Sequence, residues 1–304
     1  MSLNADTLLH IINLKQQLSK WRVLAIVTAV LALVFLFGNI SRYSPIKSDY
    51  IARITVEGVI TDNTKLSRLI EETRTDHHVK AVIVWLDTPG GSAVGGQQLY
   101  LDLVKLGKAK PVVSVMRTVA ASAGYMAALG GDHIIAREGS ITGSIGVIME
   151  SFEATELAQK IGIKPVIVKS GPYKASPNPL EKYTPEQDAV IQTVIKDFYN
   201  WFVEIVTERR KLPRETVEIL ADGRIYTGRQ ALKVKLIDEL GGEEEAVNWL
   251  GQNRKIDTAL KIKDVKVVND SESFLEHITD MANGKFGVHL LQRLDGLQAI
   301  WQAN

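Results

Sequence analysis

Two kinds of apolar pattern divide this chain. Residues 23–38 read VLAIVTAVLALVFLFG, uncharged and broken only by Thr28, whereas from Tyr50 onward short apolar runs alternate with stretches of helical spacing. Extended to Ile40, the first pattern makes about 27 Å of helix at roughly 1.5 Å per residue, just enough to span a bilayer with snorkelling flanks. It ends in Gly38-Asn39-Ile40-Ser41-Arg42, without a small-residue cleavage site, so the expectation is an uncleaved anchor rather than a signal peptide. Lys15, Lys20 and Arg22 precede the run while Arg42 and Lys47 follow it, which tilts the topology toward a cytoplasmic N-terminus. The expected location is single-pass in the cell (inner) membrane, with the body periplasmic or extracytoplasmic. Leu8, Leu9, Ile11, Ile12 and Leu18 recur at helical spacing ahead of it and form either an interfacial helix or an extension of the anchor.

The second pattern predicts α/β layers. Strands are expected over 51–60, 79–86, 111–116 and 133–136, interleaved with helices over 64–75, 97–106 and 122–129. The alternation continues through 144–149, 153–161 and 164–169. Thr184-Pro185-Glu186-Gln187 then opens a long helix toward Arg210, with Thr184 as cap and proline at the first helical position, and Pro213 stops it. A helix over 243–250 and a charged strand near 260–268 follow. The tail, with Phe274, Leu275 and Ile278 and then Leu290, Leu291, Leu294, Leu297, Ile300 and Trp301, reads as an amphipathic helix interrupted at Asn283-Gly284-Lys285. The expected divisions are a cytoplasmic segment 1–22, an anchor 23–40, a linker 41–50, an α/β domain 51–250 and a C-terminal packing or oligomerisation extension 251–304.

Composition removes several functions. At 304 residues and 45% hydrophobic the chain can bury a sizeable core. Its 36 basic and 35 acidic residues leave a net charge of +1 and no bias toward nucleic acid. With no cysteine there are no disulfides, thiolate nucleophiles or cysteine-ligated metals. No Walker-type phosphate loop occurs, and neither a cofactor nor a metal is expected.

The candidate chemistry centres on Thr118-Val119-Ala120-Ala121-Ser122-Ala123-Gly124-Tyr125-Met126, which places a serine among small residues where a strand gives way to a helix. Such a serine is either an N-cap or a nucleophile. Upstream, Leu86-Asp87-Thr88-Pro89-Gly90-Gly91-Ser92 also lies between a strand and a helix. Its glycines let backbone amides approach a developing oxyanion, or simply make a tight turn, and Ser92 suits a helix cap better than a nucleophile. A serine nucleophile needs a base. His10, His77, His78, His277 and His289 lie outside the core pattern, and His133 fits a satisfied core histidine. Lysine is the alternative, because burial in an apolar pocket penalises the ammonium form and leaves a neutral amine. Lys174, in Ser170-Gly171-Pro172-Tyr173-Lys174, and Lys169 both qualify on residue type and spacing.

Thr88-Pro89-Gly90-Gly91, the run around Ser122, Thr142-Gly143-Ser144-Ile145-Gly146-Val147, Ser170–Lys174 and the segment from Asp222 to Ala231 occur in the order found in the signal peptide peptidase A family. The chain resembles the short, single-copy form of that family over residues 51–250. The resemblance implies the Clp-protease/crotonase fold, a spiral of β-β-α units, and a Ser-Lys dyad with Ser122 as nucleophile and Lys174 as general base. It further implies backbone oxyanion donors at Gly91 and Ala123, with Ser144 helping to orient the lysine. The family pattern often has Ser where this chain has Thr88, and Gly where it has Ala123; neither change removes a needed side chain.

The function so implied is a membrane-anchored serine endopeptidase that degrades hydrophobic signal peptides left after preprotein cleavage. It would work as a homo-oligomer whose serine and lysine come from neighbouring subunits. Two rival readings are a protease of the same fold acting on stomatin-like or other membrane proteins, and a non-catalytic scaffold of the crotonase type.

Overall fold

The computed structural model describes residues 18, 20–22, 24–30 and 48–267. The chain divides into two compact units, 1–48 and 49–304. The described residues up to Val30 are helical and exposed, and among the described residues no helix is long and apolar enough to cross a membrane. Most of the anchor expected over 23–40, and the whole tail from residue 268, lie outside the described residues.

The second unit begins with β1 (Tyr50–Glu57), α1 (Thr64–Thr75), β2 (Val79–Thr88), α2 (Ala93–Gly107) and β3 (Val112–Ala121). The three strands are parallel neighbours, and the two helices are the crossovers that parallel pairing requires. Buried on both faces, β2 reads VKAVIVWLDT, a nearly continuous apolar run rather than an alternating one. On one side Val82, Val84 and Leu86 pack with Leu99, Leu103 and Leu106 of α2. On the other, Ile51, Ile83 and Val115 meet Ala246 and Leu250 of a later helix, α8 (Glu243–Arg254).

After β3 come α3 (Ala123–Ala128), β4 (His133–Ala136), β5 (Ile141–Gly143), α4 (Thr155–Lys160) and α5 (Pro185–Arg210). α6 (Arg214–Leu220), β6 (Ile225–Thr227), α7 (Gly228–Lys233), β7 (Glu239–Leu240), α8 and β8 (Lys261–Val265) complete the unit. One mixed sheet of eight strands results, ordered β6-β5-β3-β2-β1-β8, with β4 beside β3 and β7 beside β4. All of its pairs are parallel except β5 with β6. β3 changes partner midway: residues 113–116 pair with β4, residues 119–121 with β5.

The helix starts follow local chemistry. Asn63 caps α1 and Ser92 caps α2, each accepting from backbone N–H groups. Thr184 caps α5 as expected, and Gln187 completes a reciprocal capping box with it. Two expectations fail. Residues 144–149 and 164–169 are not strands, and Val166 and Val168 are 90% and 94% exposed. An apolar run becomes a strand only when another edge accepts its ladder, and among the described residues no partner strand lies beside these segments.

Candidate active site

β2 and β3 end at the same edge of the sheet, where open parallel sheets characteristically bind ligands. Ser122 is the residue between β3 and α3. Its backbone, at φ 51° and ψ −118°, occupies a region that a side chain disfavours and glycine tolerates. It stands at the N-cap position of α3, but its side chain makes no capping hydrogen bond. Ser92 does cap, accepting from Gly95 N–H at 3.1 Å. The two serines are thus separated: one hydroxyl is engaged in structure and the other is left for chemistry.

Several contacts hold the Ser122 backbone. Its N–H donates to Gly143 O at 2.9 Å, and Thr142 Oγ1 donates to Ala120 O at 2.7 Å, pinning β5 to the end of β3. Asp87, at the end of β2, accepts from Val119 N–H at 3.1 Å. Below the serine, the fully buried Tyr125 donates its phenol to Leu236 O at 2.9 Å, and burial pushes that phenol's pKa up. Arg209 of α5 donates to Leu129 O and Gly131 O at 2.6 and 2.7 Å, satisfying carbonyls just beyond α3.

The glycine loop lies against this elbow. Gly90 has φ +115°, and a Cβ there would come 2.9 Å from Ser122 Cβ. Gly91 is held by a bridge in which Ile60 N–H donates to Gly90 O and Ser92 N–H donates to Ile60 O, at 2.8 and 2.9 Å. Since these bonds belong to Gly90 and Ser92, the N–H of Gly91 points to the other side. A Cβ on Gly91 would sit 1.9 Å from Ile60 O, so only glycine permits the approach. The Ala123 N–H heads α3, where first-turn donors have no intrahelical acceptor.

Ser122, Gly91, Ala123 and Ser144 all border one groove of about 900 Å³, whose wall includes Met126 and Phe202. Ser144, also at positive φ (51°), is fixed by its N–H donating to Arg224 O at 2.8 Å. Four of the five residues expected at the site are therefore together. Lys174 is not among the groove's residues; it is exposed in a turn where its N–H donates to Gly171 O at 3.2 Å. Lys169 is engaged by Glu181 in an ion pair. His133 stacks on Trp249, with ring centroids 4.7 Å apart, and its Nε2 lies 3.0 Å from Glu239. It pairs in register with Val113, near the start of β3, about 30 Å of strand from Ser122.

The comparisons with known proteins decide the family. The peptidase family S49 model matches residues 105–257. This chain belongs to peptidase family S49. A Synechocystis sp. relative, named provisionally as a protease, is 40% identical over 200 residues, covering 66% of this chain and 72% of that protein. An Enterococcus faecium protein, named provisionally as signal peptide peptidase SppA, is 32% identical over 239 residues, covering 74% of this chain and 68% of its own length. The chloroplastic serine protease SPPA of Arabidopsis thaliana is 30% identical over 228 residues, and there the match spans only 33% of the longer protein. The S49 assignment makes the chain a peptidase and agrees with its mixed, mainly parallel α/β sheet.

The groove also contains α5 groups to which the sequence assigned no role, and one end of the Asp222–Ala231 motif. Gln192, Ile195, Lys196 and Tyr199 of α5 border it, as does Asp222. Asp222 is held by Arg224 Nε at 2.8 Å, and that hydrogen bond lowers its pKa to about 2. The four α5 residues recur at i, i+3, i+4 and i+7, which is visible in the sequence, but which way that stripe faces depends on how Phe202 and Val203 bury.

Proposed function

We propose that this S49 peptidase is a membrane-anchored serine endopeptidase in which Ser122 is the nucleophile and Lys174 of a neighbouring copy is the general base. The observation that carries the reading is the uncapped Ser122 at φ 51°, beside a glycine loop whose Gly91 N–H faces away from its own bridge. Lys174 accepts the Ser122 hydroxyl proton as Oγ attacks the scissile carbonyl. The Gly91 and Ala123 N–H groups donate to the oxyanion of the tetrahedral intermediate. Collapse expels the amine, which takes the proton from Lys174, and water delivered by the same lysine then hydrolyses the acyl-enzyme. Ser144, at the groove edge, holds the incoming lysine in register.

Supply of the lysine in trans fits the exposed position of Lys174 and the apolar surface that surrounds it in sequence. The groove's Met126 and Phe202 suit apolar peptides, and an anchor over 23–40 would hold it near membrane-borne ones, residual signal peptides among them. A second reading rests on a specific observation: Lys196 borders the Ser122 groove within the same chain, so it competes for the role of base.

Purified full-length protein, its Ser122→Ala form, its Lys174→Ala form and a mixture of the two variants, assayed on an apolar signal peptide, test the proposal. Single variants without activity and a mixture that regains it are expected. Full activity in Lys174→Ala would transfer the base role elsewhere, and cleavage of membrane proteins but not of signal peptides would redirect the substrate.

A further inference from the structure

Lys196 and Asp222 both border the Ser122 groove, yet their charges are in different situations. The Asp222 carboxylate is taken up by Arg224, through Nε and Nη2 together. Lys196 has no ion pair among the described residues. A free ammonium beside a mainly apolar channel is a recognition element for one kind of group, an anion carried on the peptide.

The lysine is also on a well-fixed element. The carboxyl half of α5 is buried through Phe202, Val203, Ile205 and Val206. Arg209 ties the same helix to the carbonyls that follow α3. The stripe Gln192, Ile195, Lys196 and Tyr199 is thereby turned toward the serine that opens α3. Ile195 and Tyr199 line the same groove on this helix and give its wall apolar surface beside the lysine.

We propose that Lys196 is a specificity residue which selects peptides presenting a carboxylate, from an acidic side chain or a free C-terminus, a fixed distance along the groove from Ser122. This rests on the groove being the peptide site; it does not require Ser122 to be the nucleophile. Because Lys196 is exposed, the preference is modest, about 3- to 10-fold, and shrinks as salt rises.

Binding rather than turnover gives the test. Fluorescein-labelled apolar nonapeptides are titrated by anisotropy into the full-length Ser122→Ala protein, with glutamate or glutamine at successive positions and with the C-terminus free or amidated. Tighter binding of the carboxylate form at one position, loss of that preference in Ser122→Ala/Lys196→Met and its retention in Ser122→Ala/Lys196→Arg are expected. Preference confined to the glutamate pairs assigns the side chain, and preference confined to the free-acid pairs assigns the terminus. Equal binding within every pair, a preference that survives Lys196→Met, or no binding of any peptide overturns the proposal. Failure of the unmutated protein to cleave these peptides while the binding preference holds would sink the peptidase reading of Ser122 and leave this one standing.

Discussion

Residues 49–143 and residues 144–183 form opposite kinds of surface from similarly apolar sequence. In the first stretch Ile54, Val84, Leu86 and Leu103 are all 0% exposed, locked between sheet and helix. In the second, Ile148 is 83%, Phe152 71% and Val168 94% exposed, and the only helix is the short α4. The first carries Ser122 and Gly91 in finished geometry; the second carries Lys174 in an open turn. One half of the proposed dyad is completed by folding. On the proposed reading the other is left for association to complete.

The largest expected effect breaks this contrast directly. Ser122→Ala and Lys174→Ala should each lower kcat/KM by at least about 10⁴-fold, as for linked members of a catalytic unit, whereas their mixture recovers activity only if the two halves meet across copies. Initial rates at equal total protein, with the mixing ratio varied, read this out. Next comes the glycine loop. Gly91→Ala forces a methyl onto Ile60 O and swings the donor N–H, so activity should fall about 10²- to 10³-fold, checked by kcat with circular dichroism as the control for folding.

Stability sharpens the same comparison. Leu103→Ala, at a fully buried position, should cost about 2–5 kcal/mol in urea unfolding. Val168→Ala should change the unfolding of a dissociated subunit by less than about 0.5 kcal/mol and act on subunit assembly instead, as sedimentation at graded concentrations would show.

What could be read in advance follows the same division. The apolar stretch 79–86 announced a buried strand because its partners β1 and β3 lie close in the chain and accept it on both sides. Residues 164–169 carry a comparable signal and form no strand, since pairing depends on an available edge and composition cannot report one. β5, β6 and β7 escaped notice because two or three residues are too few to show a period. Ser92 was expected to cap its helix and does, whereas for Ser122 the sequence left cap and nucleophile both open; φ and the missing cap decide that case, and both are tertiary facts. Lys196 needed the phase of α5 against the core, which only packing sets.

The smallest effects concern acid. Arg74 holds the Glu71 pKa down to about 2, and Arg224 does the same for Asp222. A carboxylate depressed on folding contributes stability that is present above its unfolded value, near pH 4.5 for Glu71 and 3.8 for Asp222, and lost as pH falls toward 2. Both groups are exposed, so the Tm loss below pH 4.5 should be slight and should flatten in high salt.

The backbone at Ser122 sets two requirements against each other in a single residue. At φ 51° glycine would be more comfortable than serine, and no hydrogen bond to the helix would be lost. Ser122→Gly should therefore raise the unfolding free energy by about 1 kcal/mol while abolishing peptide cleavage. A chain free to drift toward durability alone would discard this hydroxyl early, whereas Gly91, where geometry and reactivity ask for the same residue, would be left in place.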